Sequence, residues 1–195
     1  MQDTKTKILD AASNLFAEDG AGALSVRAIS KRAGLSTIGI YNHFQGKQGI
    51  LDALYIEGFE MISDAMSASQ NAASPRQGII DAIERYMTIS SEQAGHYRLI
   101  FGQGDSTYTP SEEARLVGEA AFAELVKLVA RALPANLSRG EQREIALQIF
   151  AAAHGYASLQ HHETTELMRA PNWNALAINA ITALLDAAIA SHTKL

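Results

Sequence analysis

Residues 24–47, LSVRAISKRAGLSTIGIYNHFQGK, constrain the fold more than any other stretch of the chain. Two short helical patterns meet there at a glycine. Ser25 suits an N-cap, because its hydroxyl can accept a hydrogen bond from a free N–H of the first helical turn. Val26, Ile29 and Ala33 then recur at helical spacing and give the first helix one apolar side. Gly34 takes the left-handed backbone of a helix stop without steric penalty, and Leu35 can plug the corner. Ser36 caps a second helix predicted over residues 37–44, in which Ile40 and Phe44, four apart, face inward.

The outward face of that second helix carries Thr37, Ile38, Gly39, Tyr41, Asn42 and His43. Hydroxyl, amide, imidazole and methyl groups are the kinds that meet base edges and phosphates in a major groove. Arg27, Lys31, Arg32 and Lys47 surround this face, and no Asp or Glu lies between Gly20 and Gly49. A bracing helix followed by a groove-entering helix is the logic of a helix-turn-helix. An ordinary helical hairpin with solvated basic residues has the same outline. A helical protein–protein adaptor without sequence-specific DNA binding is the alternative function, and it would not require the polar face or its basic flank.

Composition narrows the rest. The chain has 195 residues, enough for one or two small domains with a real core. It has no cysteine, which excludes disulfides and thiolate metal sites. The opening MQDTKTKILDAA lacks the apolar centre of a signal peptide, and no run approaches the roughly 20 apolar residues that span a bilayer. A cytoplasmic protein with no membrane partner is expected. Abundant alanine and scarce proline favour an all-α fold. The net charge of −5 argues at first against a nucleic-acid binder, but residues 1–51 hold six Lys/Arg against four Asp/Glu. The acidic excess falls in the remainder, and this asymmetry carries more information than the total.

In chain order, residues 4–19 read as a helix with Ile8, Ala11, Ala12, Leu15 and Phe16 on one face, closing a three-helix domain. Residues 47–68 form a long connecting helix with a stripe of Ile50, Leu51, Leu54, Tyr55, Gly58, Met61, Ile62 and Ala65. Ser74 and Pro75 start another helix, with proline at its first position; it presents Ile79, Ile80, Ile83, Tyr86 and Met87. After the short HYRLIFG element and a loop over 102–109, Thr109-Pro110-Ser111-Glu112 reads as a capping box. Ser138 and Glu141 read as a second one, starting a helix to about residue 163 with two apolar sides, hence sandwiched. The last helix, about 173–192, carries a seam that includes Trp173, Leu176, Ala180, Ile181, Leu184 and Leu185.

GLSTIGIYNHFQGKQGILDAL resembles the signature of the TetR/AcrR family of bacterial transcriptional regulators, through Gly34, Leu35, Ser36, Tyr41, His43, Phe44, Lys47 and Leu51. The likeness is strong over roughly residues 5–55; beyond that it rests on length and helical layout. It implies an N-terminal three-helix helix-turn-helix domain (1–47) followed by a larger helical ligand-binding and dimerisation domain (48–195). By position, Ser25 and Arg27 resemble residues that contact phosphate and a flanking base. Thr37, Ile38, Gly39, Asn42 and His43 match recognition positions beyond the capping Ser36, and Tyr41 and Lys47 match phosphate contacts. Gly39 departs from the pattern, standing where members often carry threonine, serine or alanine.

The resemblance also implies a repressor that binds a palindromic operator in double-stranded DNA as a homodimer and is released by a small-molecule effector. Met87, Tyr97, Phe101, Phe122, Phe150 and His154 are the candidates to line an effector cavity, and their apolar and aromatic character suits an apolar or aromatic compound. HYRLIFG followed by FAAAHG resembles a C-terminal subfamily pattern that contains a tryptophan, near which Phe150 stands here. Plain core packing explains the same aromatics. The last two helices are expected to pair with their copies across a two-fold axis through Tyr156, Trp173, Leu176, Ala180, Ile181, Leu184 and Leu185; two heads multiply affinity. His154, His161, His162 and Glu163 lack the three- or four-residue spacing of a metal pair, and no nucleophile–base–orienter motif occurs. Neither a metal, a cofactor nor an enzymatic activity is expected.

Overall fold

The computed structural model describes residues 3–101, 108–161 and 172–193. Every long element among them is an α-helix: α1 (Thr4–Asp19), α2 (Val26–Ala33), α3 (Thr37–Phe44), α4 (Lys47–Ser69), α5 (Pro75–Glu92), α6 (Ala94–Ile100), α7 (Glu112–Ala130), α8 (Arg139–Gln160) and α9 (Trp173–Thr193). The expected all-α class holds. Contacts divide the chain into two units, one of Met1–Met61 with Gln93–Glu119, the other of Ile62–Glu92 with Ala120–Leu195. This division differs from a cut at residue 47, because α6 and the start of α7 are tied to the helices of the head.

The core of the first unit follows the apolar periodicities. Ile8, Ala12 and Phe16 of α1, Ile29 of α2, Ile40 and Phe44 of α3, and Ile50, Leu51 and Leu54 of α4 bury together with Leu99 of α6. Each isoleucine or leucine sealed from water contributes about 1.5–3 kcal/mol. The polar ties are long-range. Arg98 of α6 donates to the Ala17 carbonyl at 3.1 Å. His96, buried, reaches Glu57 Oε2 at 3.0 Å through Nε2 and Ser13 Oγ at 3.2 Å through Nδ1. A carboxylate can only accept, so Nε2 carries a proton. At Gly95 the helices approach so closely that a Cβ would lie 2.5 Å from both the Ser13 carbonyl and hydroxyl oxygens.

The segment before α7 is clasped to α4. The Asp52 carboxylate accepts from the Tyr108 hydroxyl at 2.8 Å and from the Ser111 N–H at 3.1 Å, while Gln48 donates to the Thr109 carbonyl at 3.0 Å. This corrects the first capping box. With Thr109 and Ser111 held on α4, the helix begins two residues later than expected, and Ser111 Oγ caps it by accepting from the Ala114 N–H at 3.2 Å. The second box, Ser138 with Glu141, forms as expected.

In the second unit α5, α8 and α9 pack on one another. The start of α5 lies against the end of α4, where a Cβ on Gly78 would fall 2.6 Å from the Ser69 carbonyl oxygen. The buried stripe of α8 is Ile145, Ala146, Ile149, Ala153 and Ala157. The helix is therefore covered along one stripe rather than sandwiched: Ala152, Tyr156, Phe150 and His154, on its flanks, are only half-buried. α9 corrects a further expectation. Trp173–His192 is long and apolar enough to cross a membrane by length and composition. Alanine supplies much of that apolarity, and Asp186 within the run is ion-paired to Arg76 of α5 at 2.6 Å. His162 and Glu163, most of the 102–109 loop and the expected end of the α8 helix lie outside the described residues.

Candidate nucleic-acid interface

The sequence of α2 and α3 explains their placement. Ser25 Oγ accepts from the Ala28 N–H at 3.1 Å and Ser36 Oγ from the Gly39 N–H at 3.2 Å, so each helix has the side-chain cap expected of it. Gly34 sits between them at φ 67°, left-handed as the turn requires, and the Leu35 N–H closes back on the Ser30 carbonyl at 2.9 Å. Ser30 was not foreseen as buried; its hydroxyl donates to the Arg27 carbonyl at 3.0 Å and so needs no water.

The far end of α3 is fixed as tightly. Gln45 takes φ 57° and Gly46 φ 115°, and α4 begins at once with Lys47. The Tyr41 ring lies over Gly46, where a Cβ would be 3.4 Å from the ring edge. A Cβ on Gly49 would fall 1.8 Å from the Phe44 carbonyl oxygen, so the first turn of α4 abuts the end of α3 through bare backbone. Ile40, fully buried, and Phe44 behind it anchor α3 on its support.

That anchoring turns the expected face outward. Thr37, Asn42 and His43 are exposed, as are Ile38 at 70 % and Tyr41 at 56 % of their possible surface. Gly39 and Lys47 are half-buried; Ser25, Arg27 and Ser36 are exposed. The ten residues proposed to meet DNA thus gather on the start of α2, on α3 and at the start of α4. One member of the expected basic flank is engaged elsewhere: Arg32 pairs through both guanidinium nitrogens with Glu18 of α1, at 2.7 and 2.5 Å. The Arg32 hydrogen bond holds the Glu18 carboxyl below its ordinary range. Arg27 and Lys31 stay exposed.

The six effector candidates do not share one compact unit. Tyr97 and Phe101 belong to the first. Their rings, 4.8 Å apart, continue into Phe59, which lies 4.9 Å from Tyr55, itself 6.2 Å from Tyr108. Burial, and then Asp52, push the Tyr108 phenol far above its ordinary value, so it remains a donor. Met87, Phe122, Phe150 and His154 belong to the second unit. Phe150 lies 6.2 Å from Phe122, edge-on, and 6.0 Å from the His154 ring, stacked; Arg143 sits 5.6 Å over Phe122. Burial pushes the His154 imidazole down, towards the neutral form. Tyr55, Phe59 and Tyr108 were missed as an aromatic group; the four-residue step from Tyr55 to Phe59 was the only signal. His161 Nε2 donates to the Ser90 carbonyl at 2.8 Å.

The α9 seam also splits. Ile181 and Leu185 are fully buried within their own chain. Leu176 remains 42 % exposed, Ala180 and Leu184 are half-buried, and Tyr156 meets Trp173 edge-on at 6.4 Å. Leu147 and Leu159 add exposed apolar positions on α8.

Comparison with known proteins agrees with this anatomy. Residues 8–54 match the model of the bacterial regulatory proteins of the tetR family, and residues 79–188 match that of the tetracyclin repressor-like C-terminal domain. The HTH-type transcriptional regulator UidR of Escherichia coli (strain K12) is 29% identical over 102 residues, which is 51% of this chain and 49% of UidR. The chain thus spans about half the length of the curated relatives it matches. Among solved structures, a Rhodococcus sp. RHA1 protein of unknown function aligns with a TM-score of 0.80 at 21% identity, covering 97% of both chains. The TetR family transcriptional regulator PfmR from Thermus thermophilus aligns at 0.71 with 19% identity, over 92% of this chain and 97% of its own. With the C-terminal model alone spanning more than half of the sequence, the chain belongs to the TetR family of bacterial regulatory proteins.

Proposed function

We propose that the protein is a cytoplasmic transcriptional repressor that binds a palindromic operator as a homodimer and is released by a small apolar or aromatic molecule. One observation carries the DNA reading. The whole outward face of α3 is presented to solvent while Ile40 and Phe44 anchor the helix from behind. Ser25 and Arg27 brace at the start of α2, Tyr41 and Lys47 take phosphates, and Thr37, Ile38, Gly39, Asn42 and His43 meet base edges. Two copies about one helical turn apart read the two half-sites. Residues 1–47 act as the reading domain and 48–195 as the ligand-binding and dimerisation domain, with α4 connecting them.

The exposed leucines Leu147, Leu159 and Leu176 on α8 and α9 support pairing of those helices with their copies. Phe122, Phe150 and His154 support an effector with an apolar or aromatic body. The effector shifts the DNA-binding equilibrium only by its differential affinity for the two states of the protein. Selection of bound sequences from random duplex DNA tests the reading. Enrichment of a two-fold symmetric sequence is expected. Failure to enrich any sequence at low salt would remove the DNA function and leave the helical adaptor.

A further inference from the structure

Nothing among the described residues requires a glycine at position 39. Its backbone is that of an ordinary right-handed helix, outside the positive-φ glycines. A Cβ added there would meet only the Ser36 hydroxyl oxygen, at 3.7 Å, an ordinary contact. This contrasts with Gly49, whose Cβ would strike backbone, and with Gly34, whose φ is left-handed. Alanine would fit position 39 and would favour the helix, because glycine weakens helix interiors. Gly140 and Gly155 of α8 are unforced in the same way; what sets Gly39 apart is its place on the exposed face of α3. Beside it stands Ile38, a β-branched apolar side chain left 70 % exposed on a face otherwise made of polar and amphipathic groups.

We infer that Ile38 and Gly39 form one specificity-determining position that reads the C5-methyl group of a thymine. The inference rests on the proposed DNA-binding function and deepens it. In the major groove the thymine methyl is the apolar feature that base edges offer, and aliphatic side chains meet it by contact rather than by hydrogen bonding. Ile38 supplies the apolar surface. Gly39, having no side chain, leaves clearance for the base edge and its sugar–phosphate to come close to the first turn of α3. A single exposed isoleucine is in itself common on protein surfaces. The unforced glycine at its side, on the same face of the same helix, makes the pair a site.

The test starts from the operator obtained by selection with the intact protein. Each thymine of a half-site is replaced in turn by deoxyuridine, which removes only the methyl group, and affinities are measured for the parent and for Ile38→Ala. One thymine per half-site is expected at which uracil weakens the parent about fourfold, the worth of one buried methyl, and at which it changes Ile38→Ala less than twofold. Gly39→Ala is expected to hold or raise the melting temperature while weakening operator binding about tenfold. Uracil substitutions that act equally on parent and Ile38→Ala would overturn the inference, as would Gly39→Ala with undiminished operator affinity. Either result would leave the DNA-binding function standing. A parent that selects no sequence at all would sink both.

Discussion

Both units have apolar cores, but they differ in how densely polar contacts tie their helices. The first is cross-tied by directional polar contacts between distant residues: Ser13–His96–Glu57, Asp52 with Tyr108 and Ser111, Gln48 with Thr109, and Arg98 with the Ala17 carbonyl. The second rests on stripes of alanine, isoleucine and leucine along α5, α8 and α9, with part-buried ties from His161 to the Ser90 carbonyl and from Gln70 to Glu124 and the Arg76–Asp186 pair at its surface. Hydrogen bonds fix distance and direction; apolar contact is non-directional and tolerates repacking. A helix proposed to match groove spacing is suited by directional support. Helices proposed to receive a ligand and a second subunit are suited by apolar contact.

The sharpest way to break this contrast is Gly95→Val. Its Cβ would fall 2.5 Å from Ser13 oxygens, so α6 must leave α1 and the His96 bridge must break with it. Overpacking together with unpaired buried polar groups is expected to destabilise by about 3 kcal/mol, read as a fall in the urea midpoint. A midpoint within error of the parent would show that α6 does not brace the head. In the second unit, Ile181→Val removes one methylene from the fully buried seam of α9 and is expected to cost about 1 kcal/mol, by the same measurement. A loss as large as that of Gly95→Val would mean the apolar unit is as intolerant of change as the tied one.

Tyr108→Phe deletes one hydroxyl of the Asp52 clasp and leaves the ring in place. A loss of about 1 kcal/mol is expected, and in Asp52→Ala the same deletion should have little further effect. Additive losses would show that the two groups do not act as a pair.

The smallest effect concerns Glu18 and Arg32, an exposed pair. Arg32 lowers the Glu18 pKa, so the pair's contribution is present above the ordinary carboxylate value and disappears as pH falls through the lower, folded-state value. Comparing the denaturation midpoint of the parent and Arg32→Ala from neutral to acid pH should show a slight excess acid sensitivity in the parent alone. Identical acid limbs would remove the pair from the account of stability.

The helix-turn-helix was legible because its signals are local. Caps at Ser25 and Ser36, the stop at Gly34 and the four-residue step from Ile40 to Phe44 each act within a turn or two. The polar ties of the first unit were not legible: His96 meets residues 83 and 39 positions away, and periodicity gives faces without naming partners. Thr109 was misread as a cap because its engagement by Gln48 is 61 residues away in sequence. The two sides of the α9 seam were not separable in the sequence for another reason. Alanine counts as apolar on every side, so Ile181 and Leu185, turned into the core, could not be told from Leu176, turned out.

The central claim is that the outward face of α3 and the start of α4 hold duplex DNA, with Lys47 on a phosphate. Its most direct measurement is operator affinity across graded salt for the parent and Lys47→Ala. The account predicts weaker binding to every sequence and a salt slope reduced by about one unit in the variant. Equal slopes and equal affinities would contradict it.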